Sequence, residues 1–296
     1  MELSLEQQTK LQYKIIKLIT TKFNCNEELI DKFQFLSRRI CSWVIEFSIK
    51  DDPQLYCLRW NLFKSKTNWL NEYYYLKTSG LDQQYLYFDP ENGNYIKKKV
   101  PGQSLATLKM NRELWIQLMK TLVEFHEQTN LAKKLFNYSA YNTYLNQNSP
   151  LTTEDLELFL KIAEQNTSLP VVFSHNSLDL ENVLYDGEKM QLIDFEWVAY
   201  NNCYSDLASL IVDQNLDEAT SLFLLEQYNR FATKKLNPKL LWQFVYFNAA
   251  IAYQWAVNQE REYNLQSLNS YKKRHYKIMQ QIKKTYNLRN LLKNSK

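Results

Sequence analysis

The sequence predicts an α+β fold in two unequal parts, a small antiparallel sheet lobe over residues 1–100 and a larger helical lobe over residues 101–296. Three observations carry this. The first hundred residues hold short runs rich in Ile, Val, Phe, Tyr and Trp, parted by turn residues. After the Pro101-Gly102 step, apolar residues mostly recur at helical spacing. Within that helical part, Val171 to Asp206 reads instead as strand, polar loop and hairpin.

Glu6–Phe23 opens the chain as an amphipathic helix, with Leu11, Ile15, Ile16, Leu18 and Ile19 at helical spacing. Strands follow at Lys32–Leu36, Trp43–Ile49 and Leu55–Trp60, the last two joined through Asp51-Asp52-Pro53. Between the first two lies Ser37-Arg38-Arg39-Ile40-Cys41-Ser42, a tip without glycine. Arg59 has bulky neighbours on both sides, which suits a buried strand, and a buried charge needs a partner. Glu72, on the helical run Thr67–Thr78, is the expected carboxylate; a place for Arg59 on an exposed edge strand is the alternative. Gln84–Asp89 and Asn94–Val100 form a hairpin around Pro90-Glu91-Asn92-Gly93.

Asn111–Asn130 is a helix with Leu114, Leu118, Leu122 and Phe125 on one face, and His126 at its end reads as structural. Thr152–Glu164 starts at a capping sequence. Val171-Val172-Phe173 is a short buried strand, followed by a polar loop from His175 to Asn182. Val183-Leu184-Tyr185 and Gln191-Leu192-Ile193 flank Asp186-Gly187, a two-residue type I′ hairpin signal. Helices are expected at about Asp206–Val212, Asp217–Thr233, Lys239–Val257 and Gln266–Tyr286.

Composition narrows the function classes. A 45% hydrophobic and 15% aromatic chain is globular rather than disordered. The net charge of +4, with scattered Lys and Arg, does not argue for nucleic acid. Cys25, Cys41, Cys57 and Cys203 show no metal-ligand spacing and read as reduced thiols, and three histidines leave little His-based metal chemistry. The first residues lack the basic-then-apolar pattern of a signal peptide, and Trp242–Val257 is polar-interrupted and too short for a membrane span. A cytoplasmic chain is expected, with its oligomeric state open.

The hairpin brings Asn182, just before its first strand, close to Asp194, just after its second. An amide oxygen and a carboxylate converging there make a hard-oxygen site suited to Mg²⁺ carried by nucleotide phosphates. Three strings then coincide: His175-Asn176-Ser177-Leu178-Asp179-Leu180-Glu181-Asn182, Ile193-Asp194-Phe195-Glu196, and Asn201 followed by Asp206. Together they resemble the choline/ethanolamine kinase family, whose loop reads H-N-D-x-x-x-x-N, whose metal motif reads I-D-[FW]-E-[YW], and which continues N-x-x-x-x-D.

The resemblance implies a protein-kinase-like fold and transfer of the ATP γ-phosphate to a small alcohol such as choline, ethanolamine or a sugar. It implies that Asn182 and Asp194 hold Mg²⁺, that Asp206 braces the loop, and that Arg59 with Glu72 stands for the Lys–Glu pair of protein kinases, directed at the phosphates. His126 fits the family's L-x-x-L-H pattern, and Pro101-Gly102-Gln103-Ser104-Leu105 resembles its E-G-x-x-L connection between lobes. Glu196 and the helical aromatics Tyr246 and Trp255 fall where the family builds an ammonium pocket, for which cation–π attraction is suitable chemistry; for the aromatics, packing in the helical core is the alternative.

One position departs. The family's catalytic Asp is Ser177, whose hydroxyl is far too weak a base. Either the chain binds nucleotide or ligand without turnover, or the carboxylate has moved to Asp179, which faces the same side two residues on in an extended loop. The candidate catalytic residues are therefore Asp179, Ser177 and His175.

Overall fold

A computed structural model describes residues 4–38, 42–62, 69–128, 149–166, 168–263 and 268–293. The tip residues 39–41 lie outside these. The chain divides into two compact units that part between Pro101 and Gly102.

The first unit is a helix on a sheet. Helix α1, Leu5–Phe23, is set by a capping box: Ser4 Oγ accepts from Gln7 N–H at 3.2 Å, and Gln7 Oε1 accepts from Ser4 N–H at 2.9 Å. Strands β1 (Ile30–Arg38), β2 (Ser42–Ile49), β3 (Leu55–Asn61), β4 (Tyr85–Phe88) and β5 (Tyr95–Lys98) form an antiparallel sheet in the order β1-β2-β3-β5-β4. Period-2 alternation sends Ile45, Phe47, Leu58 and Ile96 to one face, where Ile15 and Ile19 of α1 close the core. The other face carries Arg59 opposite Val44 on one side and Tyr95 on the other. Helix α2, Trp69–Ser79, brings Glu72 to that face.

The second unit is mostly helical. Its described helices are α3 (Arg112–His126), α4 (Thr153–Asn166), α5 (Ser205–Gln214), α6 (Glu218–Phe231), α7 (Pro238–Tyr263), α8 (Asn269–Thr285) and the short α9 (Asn290–Lys293). Side chains cap three of them: Asn111, Thr152 and Asp217 each accept from an N–H of the first turn. Helix α7 runs past the expected end at Val257 to Tyr263, because Asn258–Tyr263 contains no helix breaker. Among the described residues no helix is long and apolar enough to cross a membrane.

Two small sheets sit among these helices. Strands β6 (Gln103–Ser104), β8 (Val183–Tyr185) and β9 (Met190–Leu192) form one, and β7 (Val171–Ser174) pairs antiparallel with β10 (Ala199–Asn202) in the other. Gly102 has φ 116°, and a Cβ there would stand 2.9 Å from the Tyr185 backbone, so the approach of β6 to β8 requires glycine.

The β8–β9 connection corrects the sequence reading. It is a four-residue loop, Asp186–Lys189, not a two-residue turn, because Tyr185 pairs with Met190. The Asp186 carboxylate accepts from Glu188 N–H at 2.9 Å and Lys189 N–H at 2.8 Å. This side-chain capping stabilises the wider loop in place of the tight I′ geometry.

Candidate functional site

In the first unit, Arg59 and Glu72 meet as an ion pair with both side chains enclosed, 1% and 0% exposed. Arg59 Nε–H also donates to Gly93 O at 3.0 Å, and the guanidinium lies over Tyr95 and Trp69, 4.4 and 4.8 Å from the ring centroids. Gly93, at φ 66°, is required here, since a Cβ would come within 2.3 Å of the Trp69 ring. Arg59 is thus a buried strand residue, and its guanidinium is oriented by Glu72, the β4–β5 turn and two aromatic faces.

In the second unit the organising group is Asp206, 0% exposed at the start of α5. Its carboxylate accepts from the backbone N–H of His175 and of Asn176, each at 2.7 Å, and from His126 Nε2–H at 2.9 Å. His126 Nδ1 in turn meets the Tyr228 hydroxyl at 2.8 Å. Burial alone would raise the Asp206 carboxyl. The His126 hydrogen bond and charge, the charge of His175 and the backbone N–H donors outweigh it and hold the group below its ordinary value. His126 thus has the structural place expected of it.

The loop hung from Asp206 is folded on itself. Asn176 sits in the left-handed region at φ 63°, which Asn tolerates. Asp179 caps the short turn Leu180–Asn182, its Oδ1 accepting from Asn182 N–H at 2.9 Å. Asn182 Nδ2 donates to Ser177 O at 2.9 Å. This turns the donor end of the amide toward the loop backbone. Ile193 N–H donates to Asn182 O at 3.0 Å, which extends the β8–β9 ladder to the hairpin base, where Asp194 follows with φ 66°. Asn182 and Asp194 thus stand at the two ends of one hairpin base.

Two candidates, His175 and Tyr246, occupy other places than the sequence suggests. His175 is 0% exposed, and its Nε2–H donates to Ile193 O at 2.8 Å, so it holds two loops together and does not reach a substrate. Tyr246 is enclosed in the helical core, its hydroxyl 3.1 Å from Asp155 Oδ1, where Lys283 and Gln280 also converge. A residue so placed does not line a pocket. Glu196 accepts from the indole N–H of Trp197 at 2.9 Å and remains half-buried.

Trp255 is half-buried and meets Tyr271 of α8 edge-on, ring centroids 5.8 Å apart at 70°. Burial and the nearby Asp213 and Asp179 carboxylates push the Tyr271 hydroxyl up to about 12. Arg274, paired with Asp213 at 3.5 Å and 5.4 Å from the Tyr271 ring centroid, opposes that shift. Tyr271 is not apparent from the sequence, because it comes from a separate helix with no periodic relation to the α7 aromatics. Asn201 stands in the N-x-x-x-x-D string but gains a role only from its contacts: its Nδ2 donates to Asn176 Oδ1 at 2.7 Å and to Ser205 Oγ at 2.9 Å.

The chain matches the profile of choline/ethanolamine kinases over residues 73–292. Among curated proteins, an uncharacterised Mycoplasma pneumoniae homologue of MG356 is 26% identical over 174 residues, 58% of either chain. The alignments span between 37% and 61% of the length of the curated relatives matched. Among solved structures, the choline kinase LicA of Streptococcus pneumoniae has a TM-score of 0.71 at 15% identity, covering 91% of this chain and 99% of that one. A choline/ethanolamine kinase family protein of Mesorhizobium loti has a TM-score of 0.68 at 16% identity, covering 88% and 91%. At these identities the structural likeness establishes the α+β, two-lobed, kinase-like fold. The family profile covers well over half of the sequence, and the chain belongs to the choline/ethanolamine kinase family.

Proposed function

We propose that the protein transfers the γ-phosphoryl group of ATP to the hydroxyl of a small alcohol, with a cationic amino alcohol of the choline or ethanolamine type as the favoured acceptor and a sugar-like alcohol as the alternative. The observation that supports this best is the buried, fully engaged Asp206 carboxylate, which holds the loop of Ser177, Asp179 and Asn182 by two backbone N–H groups. A loop kept only for packing gains nothing from a buried charge, which is costly unless its partners are preserved.

Asn182 and Asp194 are the residues that would hold Mg²⁺, which when bound to ATP neutralises charge on the phosphates. Arg59, paired with Glu72 in the first unit, stands for the Lys–Glu pair of protein kinases. Asp179 accepts the proton of the acceptor hydroxyl as its oxygen bonds to the γ-phosphorus and ADP leaves. A LicA structure of the same fold was solved in complex with AMP, which is consistent with a nucleotide ligand. For the acceptor, Trp255 and Tyr271 offer aromatic surface of the kind that attracts an ammonium group; the Tyr271 ring already has the Arg274 guanidinium 5.4 Å from its centroid.

A second reading, a kinase-like protein that binds nucleotide or a small ligand without turnover, is favoured by Ser177 and by the Asp179 oxygen engaged on its own loop. Thermal-shift titration with ATP, with and without Mg²⁺, tests what both share. The expected result is Mg²⁺-dependent stabilisation in the native protein that disappears in Asp194→Ala with the fold intact. Equal stabilisation in that variant would remove the metal from the account.

A further inference from the structure

The amide groups of Asn176 and Asn201 satisfy one another in a way that has only one solution. A carboxamide has a donor end and an acceptor end, and which is which follows from the partners. One end of Asn176 faces three carbonyl oxygens: Trp197 O at 2.9 Å, Ser174 O at 3.2 Å and Ala199 O at 3.4 Å. That end must be Nδ2, so Oδ1 points to Asn201. Asn201 must answer with its own Nδ2, at 2.7 Å, and its Oδ1 then accepts from Asn202 N–H at 2.8 Å. Reversing either amide sets oxygen against oxygen or nitrogen against N–H.

The partners of Asn176 belong to two different loops. Asn176 itself lies one residue before Ser177, and Trp197 lies three residues after Asp194. Asp206 holds the backbone of the first loop, but its three hydrogen bonds, to the N–H groups of His175 and Asn176 and to His126, include none to the loop of Asp194. Beside the backbone bond from Ile193 N–H to Asn182 O, two side chains make that connection, His175 to Ile193 O and Asn176 to Trp197 O. His175 reaches its carbonyl unaided, whereas the Asn176 amide is held in its working orientation by Asn201.

We infer that Asn201 is a positioning residue: through Asn176 it locks the loop of Ser177, Asp179 and Asn182 to the loop of Asp194, and so fixes the distance between acceptor-activating and metal-holding groups. Its importance for turnover rests on the phosphotransfer reading above; the lock itself does not. Asn201→Asp is the sharpest test, since it keeps the shape and the acceptor for Asn202 N–H but replaces the donor to Asn176 with an oxygen.

Hydrogen exchange and steady-state kinetics are measured on the same full-length samples. The inference expects peptides covering 175–182 and 194–198 to gain exchange together, while α5 beyond its first turn, where Asn201 also meets Ser205 Oγ, is unchanged. It also expects kcat to fall on the order of 10²-fold, as a misplacement of about 1 Å does, with the acceptor KM within about twofold. Asn201→Ala, which adds no charge, gives the same readouts should the Asp variant not fold. Loosening confined to β10, or a KM rise with unchanged kcat, overturns the inference. If the native protein shows no turnover, the phosphotransfer reading fails by itself, and the joint loosening of the two loops still decides whether the lock exists.

Discussion

Ser177 and Asp179 carry the chemistry's main departure, and their geometry makes it testable. Asp179 caps the turn Leu180–Asn182 through one oxygen, and Asn is as good a cap as Asp. Asp179→Asn therefore leaves the loop folded while removing the charge. With Asp179 as the base, kcat should fall by roughly 10²–10⁴-fold with ATP-induced stabilisation unchanged. Ser177→Asp should add little, because two carboxylates beside a phosphate repel one another and it. Turnover assays of both variants against one alcohol panel check this. Gain in Ser177→Asp together with no loss in Asp179→Asn would mean that the base was not relocated.

Asp206 and His275 are two of the buried ionisable residues that shape the acid response. The folded Asp206 carboxyl titrates below its unfolded value near 3.9, so its stabilisation is present above that value and lost as pH falls through the folded one. His275 acts over a higher range. Burial outweighs its bond to Tyr271 O and lowers it from 6.5 to about 4. Between those values the unfolded chain binds a proton that the folded chain does not, so stability falls with pH there, by roughly 3 kcal/mol across the whole shift. Urea midpoints from about pH 7 down to pH 4 should drop in the native protein. His275→Gln should flatten that slope, and an unchanged slope would contradict the assignment.

At the level of elements, the sheet of the first unit is the most legible part of the fold. Alternation of Ile45 and Phe47 with Glu46, and of Leu58 with Arg59, fixes which face meets α1. The Arg59–Glu72 pair is legible too, because a charge amid bulky strand residues requires a carboxylate. Glu72→Ala should therefore cost about 3–5 kcal/mol in chemical denaturation, the penalty for stranding a buried charge. A loss under ~1 kcal/mol, the size expected of a surface pair, would contradict the burial.

The hairpin and the aromatics mark where reading stops. Asp186-Gly187 has the composition of a tight turn, but the side-chain hydrogen bonds that open the loop to four residues depend on geometry. Tyr246 and Trp255 occupy one helix, and helical spacing does not say that Tyr246 meets Asp155 while Trp255 meets Tyr271. The Asn176–Asn201 contact spans 25 residues and depends on the β7–β10 pairing, which no local pattern announces.

For the whole molecule, the family strings, the kinase-like fold and the loop frame around Asp206 bear on the proposed phosphoryl transfer, a reaction in which positioning and electrostatics supply most of the catalysis. The direct test is transfer of labelled γ-phosphate from ATP to a panel of choline, ethanolamine and neutral sugar alcohols, with and without Mg²⁺. Mg²⁺-dependent formation of a phosphorylated alcohol, strongest with the cationic acceptors and lost in Asp194→Ala, is the predicted result. ATP binding of normal strength with no phosphorylated product from any alcohol would contradict it and leave a nucleotide-binding protein without chemistry.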